Sequence, residues 1–299
     1  MKIYLLLFGV LTASMMQVIP LHPSLQLYIF FFILLITGVP HGSLDYFVEA
    51  QSMKQARQKL SLKFFLLKYF LNMLGYGIIW FFFPSFALII FISLTAYHFG
   101  EIDWPNRRKS ILDTSLYTIY GLGVILFIIS SHMKETAPIL ETVVRSEISA
   151  EFWFQLGPIF FYGSLITLVS HASILVLLRN KLSWNYQNLL NFIGQTILLL
   201  SIIYVLPFYL AFSFYFGLWH SLLSFNLIRK QMNLSDTWSG WIQLTRKALP
   251  FTLLAWIGLV LFIILSNQID SHVVVITNLF VGIAVLTLPH LQVFSKIRI

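Results

Sequence analysis

The stretch "TGVPHGSLDYF", residues 37–47, closes an apolar run with a proline, a histidine, a glycine and an aspartate. A cousin, "TAYHFGEIDW", residues 95–104, closes a second such run. Ahead of them stand "LQLYIFFFILLI", residues 25–36, and "PSFALIIFISL", residues 84–94. With their polar ends included, both reach the ~20 residues that a ~30 Å hydrocarbon layer demands. An ionisable side chain in such a run is costly, so it marks either a function or a specific partner.

The rest of the chain supports a membrane setting for these turns. Of its 299 residues, 58% are hydrophobic and 10% are charged, with a mean hydropathy of +0.84. A soluble domain carries roughly 25% charged residues, so this chain cannot cover itself with a solvated surface. Apolar runs and their breakers predict ten spans: 3–20, 26–46, 63–83, 85–103, 111–131, 157–178, 188–206, 208–228, 248–266 and 272–294. Pro84 and Pro207 split two longer apolar stretches, because a proline interrupts a helix interior. The predicted fold is all-α: a polytopic bundle of about ten membrane helices (eight if both prolines only kink), forming one domain over 1–299.

Charge tests the count. With ten spans, 17 of the 19 basic residues fall on one side, and only Lys134 and Arg145 on the other. The larger set includes Lys2, Lys54, Arg57, Lys59, Arg107, Arg108, Lys109, Arg246, Lys247 and Arg298. The positive-inside rule then predicts both termini in the cytoplasm of a multi-pass protein of the cell membrane. The same rule absorbs the net charge of +8, which therefore does not imply a nucleic-acid partner; the lipid bilayer is the surrounding. "MKIYLLLFGVLTASMM" has the outline of a signal peptide, but is read as an uncleaved first span. The segment 132–156 is the long external loop and is expected to hold a short surface helix. The chain has no cysteine, which excludes disulfides, thiolate ligands and a cysteine nucleophile.

Eight histidines occur. His22, His132 and His272 lie at external span ends, while His41, His98, His171, His220 and His290 lie inside spans. His41, His98 and His220 sit roughly 20 Å from the external end at 1.5 Å per residue, and His290, in "LTLPHLQVF", lies nearer the cytoplasm. All occupy even-numbered spans, which run inward, so they can meet at one level. Converging neutral imidazoles make a transition-metal site; alternatively, each histidine bonds a carbonyl or hydroxyl of a neighbouring helix. Asp45 and Asp103 follow His41 and His98 closely, at span ends where the helix dipole disfavours an acid. Each therefore needs a partner, either the second nitrogen of a metal-bound histidine or a cation such as Lys54, Arg57, Arg107 or Arg108. Gly42 and Gly100 would let the helices end or open beside the histidines. In "FYFGLWHSLLSF", residues 214–225, Phe214, Tyr215, Phe216 and Trp219 could line a tunnel for a long apolar substrate, or simply pack. Ser224 stands one turn after His220, where a second histidine would complete a two-ligand face.

Pro40-His41-Gly42-x-x-Asp45, Tyr97-His98-Phe99-Gly100-x-x-Asp103, Trp219-His220-Ser221-Leu222 and Pro289-His290, in this order, resemble the Brp/Blh family of bacterial and archaeal integral-membrane β-carotene dioxygenases. The resemblance implies an Fe(2+) enzyme that splits the central double bond of β-carotene with O₂. The products are two retinals, with a functional link to a retinal-binding rhodopsin. It also implies that His41, His98 and His220 are iron ligands, and that a fourth histidine belongs at the position of Ser224. Either His290, or else His171, then completes the set, or iron keeps three histidines with an extra open position. On this reading Asp45 and Asp103 are expected to orient the histidines. Two readings from other classes stand beside it: a carotenoid- or retinal-binding membrane protein without catalysis, suggested by Ser224, and a proton-coupled transporter using the His/Asp pairs as relays. The latter class tends to show inverted repeats; both His–Gly–Asp turns lie in the N-terminal half, with no later counterpart.

Overall fold

The computed structural model describes residues 1–105, 110–265 and 272–297. Arg107, Arg108, Lys109 and Arg298 from the charge tally, and the last residue of the ninth predicted span, lie outside the described residues. Every regular element among those residues is a helix, as expected where no water satisfies backbone groups. In chain order they are α1 (Lys2–Val18), α2 (Pro23–Ile33), α3 (Val39–Gly42), α4 (Asp45–Gln55), α5 (Leu62–Phe82) and α6 (Pro84–Asp103). Then follow α7 (Ile111–Ser131), α8 (Met133–Val143), α9 (Ala150–Leu178) and α10 (Tyr186–Val205). The last are α11 (Phe208–Phe212), α12 (Ser221–Gln231), α13 (Trp238–Leu265) and α14 (His272–Phe294). Two π-helical segments, Leu34–Gly38 and Ser213–His220, interrupt the α-helical winding.

Among the described residues, eight of the helical runs are long and apolar enough to cross a membrane. The first predicted span is a shorter apolar helix, α1, of 17 residues. The eighth is helical from Phe208 to Gln231 but mixes serines, a histidine and aromatics into its apolar face. Both proline splits are real. Pro84 starts α6, and Pro207 caps α11, where its missing N–H costs nothing. Asn185 and Ser110 open α10 and α7 by accepting from the backbone N–H three residues on, at 2.7 and 3.0 Å. The segment 132–156 holds a short helix, α8, as expected.

The single helical domain expected over 1–299 carries two compact units, each assembled from separate chain segments. The first comprises Met1–Leu34, Thr95–Ala137 and Glu151–Leu223. In it α1 packs on α10 and on the π-helical Ser213–His220, α2 on α11 and the same π segment, and α7 on α10. The second comprises Leu35–Leu94, Pro138–Ala150 and Ser224–Ile299, and there α14 packs against α5, α13 and α4. Phe64, Phe70, Ile78 and Phe81 on α5 and Ile257, Val260 and Leu261 on α13 are exposed. An apolar surface of this extent is tolerable in lipid and untenable in water.

Candidate metal centre

In the second unit, the π-helical Leu34–Gly38 delivers the chain into α3, which carries His41 and ends at Gly42. Such π insertions are rare and concentrate at functional sites. The His41 ring is hydrogen-bonded to the backbone of Gly38 and Thr37. After a turn at Ser43 and Leu44 the chain re-enters a helix, so Asp45 lies in the first turn of α4. This corrects one expectation. Asp45 does not suffer the negative end of a helix dipole; it begins a new helix, where the dipole favours an acid. Its partners are Tyr69 of α5, whose hydroxyl donates to Oδ2 at 2.9 Å, and His290 of α14, whose Nδ1 lies 2.8 Å from Oδ1. Lys54 and Arg57, the expected cations, are not among these partners. The His41 and His290 rings stand 5.0 Å apart, nearly perpendicular at 87°.

In the first unit, His98 projects from α6 and His220 from the end of the π-helical Ser213–His220, their rings 4.8 Å apart. Phe99 packs 4.2 Å from the His220 ring, and Phe216 lies parallel to it at 5.9 Å. Asp103, at the C-terminal end of α6 as expected, is bonded by a tryptophan and two tyrosines, and by no histidine among the described residues. Its Oδ1 accepts the Trp219 indole N–H at 2.7 Å, and Oδ2 faces the Tyr120 and Tyr215 hydroxyls at 3.4 Å each. Lys2 Nζ donates to the Asp103 carbonyl at 3.0 Å. The aspartate thus acts on the residue next to His220 rather than on an imidazole. Gly100 differs from expectation as well. The helix continues through it to Asp103, and a Cβ there would lie 1.7 Å from the Tyr117 carbonyl oxygen. Gly100 serves a close helix crossing, not an opening.

His41, His98, His220 and His290 are each buried, at 6%, 2%, 1% and 5% exposure. Two imidazoles bound to one ion at about 2.1 Å, roughly 90–110° apart, have ring centres about 5 Å from each other. Both observed pairs match that separation. In the second unit each ring also uses a nitrogen on an oxygen acceptor, His41 on the backbone and His290 on Asp45. This is how metal-bound imidazoles are ordinarily held. The donor set fits a transition metal rather than Mg²⁺ or Ca²⁺, which take oxygens.

The other predicted residues fall as follows. Phe214 packs on Gly9 of α1, leaving no room for a Cβ there. Tyr215 and Trp219 are engaged by Asp103, and Phe216 covers His220. His171 is buried among Trp104, Tyr120 and Phe192, with no hydrogen-bond partner for its Nε2 among the described residues. Ser224 is fully buried. His22 caps α2, and His132 Nε2 lies 2.9 Å from the Leu206 carbonyl, so both serve structure. Tyr69, Tyr120 and Lys2 were not legible as site residues, since an isolated tyrosine or a terminal lysine carries no motif. Glu101, three residues after His98 and buried at 6% exposure, could have been noticed from that spacing alone.

The sequence model of the beta-carotene 15,15'-dioxygenase family matches residues 32–298, a span holding His41, His98, His220 and His290. The chain belongs to this family. It is also 26% identical over 255 residues to the beta-carotene 15,15'-dioxygenase of an uncultured marine bacterium, 66A03, covering 85% of this chain and 87% of that protein. No solved structure matches. The dioxygenase-family match begins after α1, so the helix that supplies Lys2 and Gly9 lies outside it.

Proposed function

We propose that the protein is an Fe(2+)-dependent oxygenase that cleaves the central double bond of β-carotene with O₂. Each half takes one oxygen atom and leaves as retinal, available to a retinal-binding rhodopsin. On the family pattern, His41, His98 and His220 would hold the iron, and His290 would stand in for the histidine that the pattern places at Ser224. The observation that carries this reading is the two buried imidazole pairs, each at the separation that ligands of one ion adopt, in a chain of this family.

Bound iron would supply activation of O₂, chemistry that no side chain of this protein can perform. The chain's own residues hold and shield. Asp45 and the backbone of Thr37 and Gly38 fix the His290 and His41 rings. Asp103 clamps Trp219 and so sets the helical turn that presents His220. Phe99 and Phe216 confine the His220 ring between apolar faces and keep water from it. Phe214, Tyr215, Phe216 and Trp219 are proposed to border the path of the polyene, which enters from the bilayer without crossing water. All-imidazole ligation would leave the charge of a bound iron uncompensated, and the reaction needs no acid–base pair.

Expression in a β-carotene-producing host tests the proposal: colour bleaches, retinal accumulates, and His98→Ala abolishes both. Persistent colour with well-folded protein would sink it. Ser224 motivates the second reading, a carotenoid-binding protein without catalysis. That protein would purify with intact carotenoid and no iron.

A further inference from the structure

We propose that Tyr69 is a positioning residue for His290, acting through Asp45; the inference rests on the reading of His290 as an iron ligand. Three helices of the second unit contribute one side chain each: Tyr69 from α5, Asp45 from α4 and His290 from α14. The hydroxyl of Tyr69 donates to Asp45 Oδ2 at 2.9 Å, and Asp45 Oδ1 lies 2.8 Å from His290 Nδ1. A phenol facing a carboxylate can only donate, so it commits one oxygen and fixes the plane of the group. The remaining oxygen then points at Nδ1. In a neutral imidazole, a hydrogen on Nδ1 leaves the lone pair on Nε2, the form a metal requires.

The geometry separates this role from simple packing. The C-terminal end of α14 and the residues just after it are tied to neighbouring helices by two other links. Asn72 of α5 donates to Gln292 at 3.0 Å, and Lys296 pairs with Glu49 of α4 at 2.5 and 2.7 Å. The register of α14 is therefore set without the Tyr69 hydroxyl. Gly42 lies against the His290 ring, with a Cβ built there 3.7 Å from Nδ1, and Phe294 packs 5.5 Å away. The ring is confined by contact, and its direction depends on the carboxylate. Losing the hydroxyl frees Asp45 to turn about its side chain and leaves His290 in place but unaimed. The phenyl ring that remains in Tyr69→Phe keeps the contact with Phe65, at 5.6 Å.

The test is anaerobic Fe(2+) titration of the purified full chain after chelation, with thermal melting of each variant. Tyr69→Phe weakens Fe(2+) binding by about 10–100-fold, the cost typical of removing an outer hydrogen bond from a metal-bound histidine, while melting stays near the wild type. In the His290→Ala background the same change has no further effect, because the residue it aims is gone. Gln292→Leu, which removes the Asn72 tie, leaves Fe(2+) affinity unchanged. The proposal is overturned if Tyr69→Phe binds as the wild type does. It is equally overturned if its loss adds in full to that of His290→Ala, or if Gln292→Leu weakens iron to the same degree. Wild-type binding by His290→Ala would remove His290 from the ligand set and take the proposal with it. A silent Tyr69→Phe beside a weakened His290→Ala would sink only the positioning role.

Discussion

Asp103 shows how one buried carboxylate can organise a site it does not touch. It is 2% exposed, and the donors around it come from α7, the π-helical Ser213–His220 and α1. A buried acceptor is tolerable only when its lone pairs are used. Asp103→Asn keeps the shape but replaces one acceptor oxygen by a donor NH2, so the Trp219 N–H and the Tyr120 and Tyr215 hydroxyls can no longer all donate to the group, and the change is expected to cost about 1–3 kcal/mol. Trp219→Phe should cost a similar amount, and the double variant little more than either single, which thermal unfolding in detergent would show. Ser224 is the other residue whose change is informative. Ser224→His overpacks a fully buried position, at about 1–3 kcal/mol. If the position faces the metal as the family pattern implies, the same change in the His290→Ala background restores iron measured by metal analysis.

At the scale of elements, the crossing of α6 and α7 holds His98 in place. A Cβ on Gly121 would lie 1.9 Å from the Ala96 carbonyl oxygen, and one on Gly100 1.7 Å from that of Tyr117. Backbone cannot rotate out of the way as a side chain can, so Gly121→Ala must force the helices apart. Small residues at such crossings are the usual means of close approach in membranes. Gly121→Ala is expected to lower the melting temperature sharply and to reduce iron content. Gly75→Ala, on α5 with open space around it, is expected to stabilise by up to about 1 kcal/mol through helix propensity. Both π-helical segments belong to this scale too. Each ends within a few residues of a proposed ligand, His41 or His220, and redirects it relative to the α-helical winding. Nothing in "LLITG" or "SFYFGLWH" announces a π turn, since its single extra residue changes neither composition nor hydropathy.

At the scale of the molecule, the proposed orientation and the role of α1 are testable. A cytoplasm-active fluorescent reporter after Ile299 should be bright, and one inserted at Ser149 dark; the reverse would overturn cytoplasmic termini. Removing residues 2–18 strips Lys2 from Asp103 and Gly9 from Phe214. The shortened chain is expected to melt lower and to retain less iron, because α1 packs directly on the segment that carries His220. Hydropathy and breaker residues by themselves determined that the chain is helical and membrane-embedded. They also determined that Pro84 and Pro207 end helices, and that histidines and aspartates would be buried and in need of partners. These follow from transfer energies and backbone chemistry that act through neighbours in the chain. Only the tertiary structure decided that Asp45 starts a helix and pairs with His290, 245 positions away, and that Tyr69 completes that pair. It alone decided that Asp103 holds Trp219 instead of a histidine, and that Gly100 is a crossing point. A partner is selected by which side chains meet between helices, and in an apolar sequence hydropathy is nearly the same for every way of packing them.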